Sequence, residues 1–139
     1  MIVKFKKLSK TAQTPFRASV DAAGYDLYAD IVDNTNEDCI TINTNIAVEI
    51  PKGYVGFIFP RSSIYKTNTM LANSVGVIDS DYRGPLIIKL RKMKNYTGYK
   101  SGERCAQLLI QPASNIEFVE VEELESTDRG EGGFGSSGK

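Results

Sequence analysis

The sequence contains no histidine. That absence excludes Ser-His-Asp and Cys-His catalysis, HExxH metalloprotease chemistry and the zinc-deaminase pattern built on a histidine ligand. Cysteine is scarce as well. Cys39 and Cys105 are the only two and lie far apart, which suggests neither a disulfide framework nor a zinc site. There is no excess of charge of either sign: Lys+Arg and Asp+Glu are 17 each, so no whole-chain attraction to nucleic acid or to a membrane surface is expected. Lys4, Lys6, Lys7 and Lys10 make a local basic start, read as a solvated strand edge. No apolar run approaches membrane-spanning length and the N-terminal residues carry no signal-peptide core, so a cytoplasmic protein is expected. Any chemistry must rest on carboxylates, hydroxyls, arginines or a borrowed metal.

Long helical periodicity is missing too, and no internal repeat is present. Short β-type runs recur instead, at Ile2–Phe5, Tyr25–Ala29, Cys39–Asn43, Ile46–Ile50, Tyr54–Phe59, Leu86–Leu90, Cys105–Ile110 and Ile116–Val121. Turn signals such as Pro51-Lys52-Gly53, Arg83-Gly84-Pro85 and Ser101-Gly102 separate them. That spacing predicts an all-β sandwich or barrel, with one short helix around Ser62–Lys66. The 139 residues, 41% apolar, suffice for one domain with a real core. Composition changes once, near Ser126, so residues 1–125 read as the core and 126–139 as a flexible arm.

The arm, Arg129-Gly130-Glu131-Gly132-Gly133-Phe134-Gly135-Ser136-Ser137-Gly138-Lys139, is dense in chemistry. Gly-rich backbone can turn successive N–H groups toward one anion, Ser136 and Ser137 add hydroxyl donors, and Arg129 adds a planar fork. Phe134 offers a flat face for stacking. A disordered Gly/Ser tail is the plain alternative. Gly133–Lys139 also fits G-x-x-x-x-G-K, but a P-loop needs a preceding strand and a following Ser/Thr and helix, so a P-loop fold is not expected.

Four other segments stand out. In Gly76–Leu86, Asp79 follows the apolar Val77 and Ile78 and precedes Tyr82; such a carboxylate can act as general base in a cleft, or merely cap a hairpin turn. Pro60-Arg61-Ser62-Ser63 offers a guanidinium, two hydroxyls and free N–H groups to an anion, although serine is also a common helix cap. Asp26, between Tyr25 and Tyr28, either faces solvent or lies near a metal. Gln107 sits in an otherwise apolar run, where a buried amide needs partners.

Each signal is weak by itself, but their order is not. AGYDLYA, PRSS, GVIDSDYRG, GERCAQ and RGEGGFGSSG resemble the five ordered motifs of the homotrimeric dUTPase family, from Ala23 to Gly138. The resemblance implies a distorted β jelly roll, a homotrimer, hydrolysis of dUTP to dUMP and pyrophosphate with Mg²⁺, and active sites shared between subunits. It implies that Asp79 prepares a water to attack the α-phosphorus and that the Tyr82 ring excludes a 2′-hydroxyl. Asn73 and the backbone near Val77, Ile78 and Ile87 are implied to read the uracil edge. Arg61, Ser62, Ser63 and Gln107 are implied to meet the phosphates. A mobile arm would bring Phe134 over the base, with Arg129, Gly135, Ser136 and Ser137 on the terminal phosphates. Mg²⁺ would ride mainly on the substrate, with Asp26 acting through a metal-bound water or ordering the site. Ser63 and Ser137 depart from the glycine and threonine common there, yet both keep a hydroxyl near phosphate. Two rivals remain: a dCTP deaminase, which shares the architecture and an Arg-Ser-Ser element but lacks the arm and the Asp79/Tyr82 pair, and a non-catalytic nucleotide sensor, which has no need of Asp79.

Overall fold

Alternation of apolar and polar side chains builds two four-stranded sheets that close on one core. The computed structural model describes residues 1–135. Its strands are β1 (Lys4–Lys7), β2 (Tyr25–Tyr28), β3 (Ile31–Asp33), β4 (Cys39–Asn43), β5 (Ile46–Glu49), β6 (Tyr54–Phe59), β7 (Thr69–Leu71), β8 (Gly76–Ile78), β9 (Ile87–Lys92) and β10 (Arg104–Pro112). One sheet runs β2-β10-β6-β8, the other β3-β4-β9-β7, and β1 pairs with β5. All pairings are antiparallel, and the sheets remain open.

The core is what the pattern dictates. In β4, Ile40 and Ile42 point inward, directly opposite Leu90 and Ile88 of β9. From the facing sheet come Leu27, Ile58, Ala106 and Leu108. Burying each such aliphatic side chain contributes roughly 1.5–3 kcal/mol. Cys105 is wholly buried, its thiol pushed up to about 12 by desolvation, and it behaves as a small hydrophobe.

Several elements differ from the expectation. The helix is a 3₁₀ helix, Ser62–Thr67, ended by Asn68 in the left-handed region at φ 48°. The short strands β3, β7 and β8 lie outside the runs read from sequence. No strand forms at Ile116–Val121. Beyond the Ala113 N–H, which donates to the Gly53 carbonyl, the hydrogen bonds of the described residues are local turns. Ile116, Phe118, Val119, Val121 and Leu124 consequently stay exposed. A strand is held by pairing with a sheet edge, and among the described residues this segment pairs with none.

Candidate active site

The centre of the site is a row across one sheet. Asp26 of β2 stands opposite Gln107 of β10, which stands opposite Phe59 of β6. Their neighbours Leu27, Leu108 and Ile58 face the core, so Asp26 and Gln107 project from the outer face. A β-bulge completes the row. Register shifts between Arg104 and Ala106, both Cys105 and Ala106 turn inward, and Arg104 reaches the outer face beside Asp26. Without the extra residue, Arg104 and Ala106 would share one face.

Asp26 then binds two cations. Arg61 Nε donates to its Oδ1 at 2.8 Å, and Arg104 Nη1 donates to Oδ2 at 3.0 Å. The carboxylate is 13% exposed and Arg61 24%, so water screens that pair little, whereas Arg104, 43% exposed, leaves the second pair more open to solvent. Two guanidinia on one carboxylate leave a net positive charge held in fixed geometry, which suits an incoming polyphosphate. Arg61 Nη1 also donates to Ser63 Oγ at 3.3 Å. Gln107 Nε2 donates to the Pro60 carbonyl at 3.0 Å and fixes the strand end from which Arg61 springs. Gly24 makes room for that amide, because a Cβ there would lie 2.5 Å from Gln107 Oε1. An open cleft of about 510 Å³ adjoins the group, with Arg61, Ser63, Lys66 and Arg104 in its wall. Tyr99 lines it too, its hydroxyl buried without a partner among the described residues and its pKa raised by desolvation. A second cavity of about 300 Å³, bordered by Phe5, Tyr25, Val48 and Leu108, has no charged side chain in its wall and offers phosphate nothing.

Asp79 and Tyr82 form a separate group. The Tyr82 N–H donates to the Asp79 carbonyl at 3.2 Å, and the Tyr82 hydroxyl donates to the Pro85 carbonyl at 2.9 Å. Arg83 Nη1 braces the turn through the carbonyls of Ser80 and Tyr82, at 2.7 and 2.9 Å. The segment is not a paired hairpin. β8 bonds to β6 and β9 to β4 and β7, so residues 79–86 cross from one sheet to the other. Leu86, fully buried, pins the crossing by donating its N–H to the Ile46 carbonyl. The Asn73 amide lies over Gly76, and Asn73, Val77, Asp79, Tyr82 and Ile87 are all exposed, while Ile78 is half-buried.

Sheet order separates the two groups. Ile78 faces Gly56, whereas the Asp26–Gln107 row meets β6 at Phe59. Three inter-strand spacings across and about four residues along put Asp79 on the order of 20 Å from Asp26. Among the described residues no hydrogen bond or ion pair joins them. The described part of the arm, residues 126–135, makes no hydrogen bond or ion pair with either: Arg129 Nε donates to the Gly132 carbonyl at 2.9 Å, and Phe134 is fully exposed at φ 51°. Gly135 closes the described chain at φ 88°; Ser136 and Ser137 lie outside the described residues. Of the residues expected to meet phosphate, the fold unites Arg61, Ser63 and Gln107, and leaves Ser62 exposed next to them. It adds Arg104, which the sequence reading passed over. The adjacent Cys105-Ala106 pair in an otherwise alternating strand was the available signal of a bulge there.

A family model for dUTPase matches residues 10–138. The chain belongs to the dUTPase family. Its sequence is 44% identical over 142 residues to the deoxyuridine 5′-triphosphate nucleotidohydrolase of Escherichia phage T5, covering 95% of this chain and 96% of that protein. Its fold matches a variant of the Staphylococcus bacteriophage 80alpha dUTPase, solved with dUpNHpp, with a TM-score of 0.85, 33% identity and 99% coverage of both chains. It also matches a variant of the dUTPase from phage phi11 of S. aureus, described with a structural Mg(II) ion, with a TM-score of 0.77 and 28% identity over 91% of this chain and all of that one. Among the described residues of this dUTPase, no three His, Cys, Asp or Glu side chains converge as a metal cage, and no helix is long and apolar enough to cross a membrane.

Proposed function

We propose that this chain is a dUTP diphosphatase that works as a homotrimer, with each active site assembled from more than one copy. The reaction adds water across the α–β phosphoanhydride of dUTP and yields dUMP and pyrophosphate. Asp79 accepts a proton from the water as its oxygen bonds to the α-phosphorus, and the bond to the bridging oxygen breaks. The observation that carries the reading is the Asp26-bridged pair Arg61 and Arg104 beside Ser63, a fixed cationic surface on an open cleft. It binds the polyphosphate, and Ser62 and Ser63 steady the charge that grows on the leaving pyrophosphate.

Asn73 and the backbone around Val77, Ile78 and Ile87 read the uracil edge, and the Tyr82 ring packs against the deoxyribose. A site built to pair that edge leaves unmatched groups with cytosine, which discriminates strongly. Asp79 and the phosphate cluster are too far apart to act on one nucleotide within a single chain, so the crossing segment of one copy meets the arginines of another. The exposed Ile116, Phe118, Val119, Val121 and Leu124 suit burial in that assembly. The arm brings Phe134 over the base, with Arg129, Gly135, Ser136 and Ser137 on the terminal phosphates. On this reading residues 1–125, with the exposed 116–124 stretch covered by another copy, form the body of the assembly, and 126–139 the closing arm.

Mg²⁺ belongs on the substrate in this scheme. Each Asp26 oxygen already accepts from a guanidinium, which favours its role in ordering the arginines over one as a direct metal ligand. Oxygen ligands from phosphates and waters meet the ion's octahedral demand, and when bound it neutralises charge on the triphosphate.

The test is pyrophosphate release from dUTP with Mg²⁺, with UTP, dCTP and dTTP as controls. A folded, assembled protein that releases none from dUTP refutes the reading. Ammonia release from dCTP would favour a deaminase on the same fold.

A further inference from the structure

Gly84 does not adopt a positive φ, so the backbone does not demand glycine there. What the residue supplies is room. A Cβ at position 84 would fall on Tyr82 Oη and lie 2.6 Å from its Cζ and 3.0 Å from its Cε2. The ring is held around that gap. Its hydroxyl is tied to the Pro85 carbonyl at 2.9 Å, and its own peptide is fixed by the Asp79 carbonyl and by Arg83. The side chain nevertheless stays 40% exposed, so one side of the ring is free to meet a ligand.

We propose that Gly84, with the Pro85 carbonyl, is the positioning element that sets sugar specificity, by holding the Tyr82 ring where a 2′-hydroxyl would otherwise fit. The inference rests on the dUTPase reading and deepens it. Normal carbon contacts need about 3.5 Å or more, so a methyl at 84 displaces the far end of the ring by about 1 Å. The obstacle it meets is the tip of a side chain, so the ring yields while the backbone of the crossing stays. A shift of that size is enough to change the space left for one hydroxyl without removing the ring.

The experiment measures kcat/KM for dUTP and UTP in wild-type, Gly84→Ala, Tyr82→Leu and the double variant, with a thermal melt of each. Gly84→Ala should shift the dUTP/UTP ratio by about tenfold, with little change in melting. Once Tyr82 is leucine, adding Gly84→Ala should change the ratio less than about twofold, because its target is gone. An equal loss for both nucleotides, or the same effect in both backgrounds, overturns the proposal. If Gly84→Ala does not assemble, Tyr82→Phe decides. It removes only the tether to Pro85, so the ratio should fall about threefold, and an unchanged ratio refutes the positioning. Wild-type protein that cleaves dUTP while these ratios stay fixed sinks this inference alone. Wild-type protein that releases no pyrophosphate sinks the dUTPase reading and this inference together.

Discussion

Two inactive proteins, mixed, should make an active one. Asp79→Asn removes the base and leaves the shape of the crossing segment. Arg61→Gln removes one of the two guanidinia on Asp26 and leaves Arg104 to neutralise it, so the outer face of the sheet should survive. Each variant alone should lose most turnover. The geometry makes the mixture different. A general base must reach its water at about 3 Å, yet Asp79 stands on the order of 20 Å from Asp26 within one chain. On the proposed reading, the base and the arginine on one nucleotide come from different copies. In a randomly exchanged equal mixture, a site needs the Arg61→Gln chain to lend Asp79 and the Asp79→Asn chain to lend Arg61. About one site in four meets both conditions, so activity should recover to about 25% of wild type.

The assay is dUTP hydrolysis after co-refolding, which guarantees exchange, with each variant refolded alone as the baseline. Mixed assemblies can be confirmed by tagging one variant and purifying through the tag. Recovery near a quarter supports a shared site. Tag-verified mixed assemblies with no activity above the two baselines would refute the division of base and phosphate-binding groups between copies.

Three further outcomes are expected. Asp30 is buried and accepts hydrogen bonds from Ser9 Oγ and Asn45 Nδ2, both at 2.6 Å, which hold its carboxyl below the ordinary range. Its contribution is therefore in place above the usual aspartate pKa and fades as pH falls through the lowered folded value. Asp30→Asn should cost about 1–2 kcal/mol at pH 7 and flatten the acid limb of stability, and urea melts from pH 7 down to acid with parallel limbs would contradict this. Tyr99→Phe removes a buried hydroxyl that has no partner among the described residues, so thermal stability should hold or rise by about 1 kcal/mol; a clear loss would reveal a partner in the assembled protein. Phe134→Ala should leave melting unchanged, since the ring is fully exposed among the described residues, but lower kcat/KM for dUTP by about tenfold or more through loss of stacking. Unaltered kinetics would remove Phe134 from the lid.

The sequence was readable wherever a strand finds its partner inside the chain. Cys39–Asn43 and Tyr54–Phe59 form as their alternation predicts, because Ile40, Ile42 and Ile58 each meet apolar residues across a sheet. The three-residue strands β3, β7 and β8 left no such trace, since three residues barely complete one alternation and are held by their neighbours. The site divides along the same line. Arg61, Ser63 and Gln107 were recognisable as a motif set, but their union depends on register, and Arg104 joins only because a bulge turns the strand. The crossing at residues 79–86 looked like a hairpin, since Arg83-Gly84-Pro85 is a turn signal in either topology. Only the sheet to which β9 pairs tells the two apart.

Ile116–Val121 shows the same logic from the other side. Its apolar pattern reads as a strand, yet no strand forms, and the segment is exposed because among the described residues nothing pairs with it. Hydrophobic alternation records that a segment is buried somewhere, not which molecule buries it. Soluble monomers rarely leave five large apolar residues exposed within nine positions, as Ile116, Phe118, Val119, Val121 and Leu124 are here. On the proposed assembly, the sequence that separates Asp79 from Asp26 by the width of a sheet also carries an apolar surface suited to a second copy that brings them together.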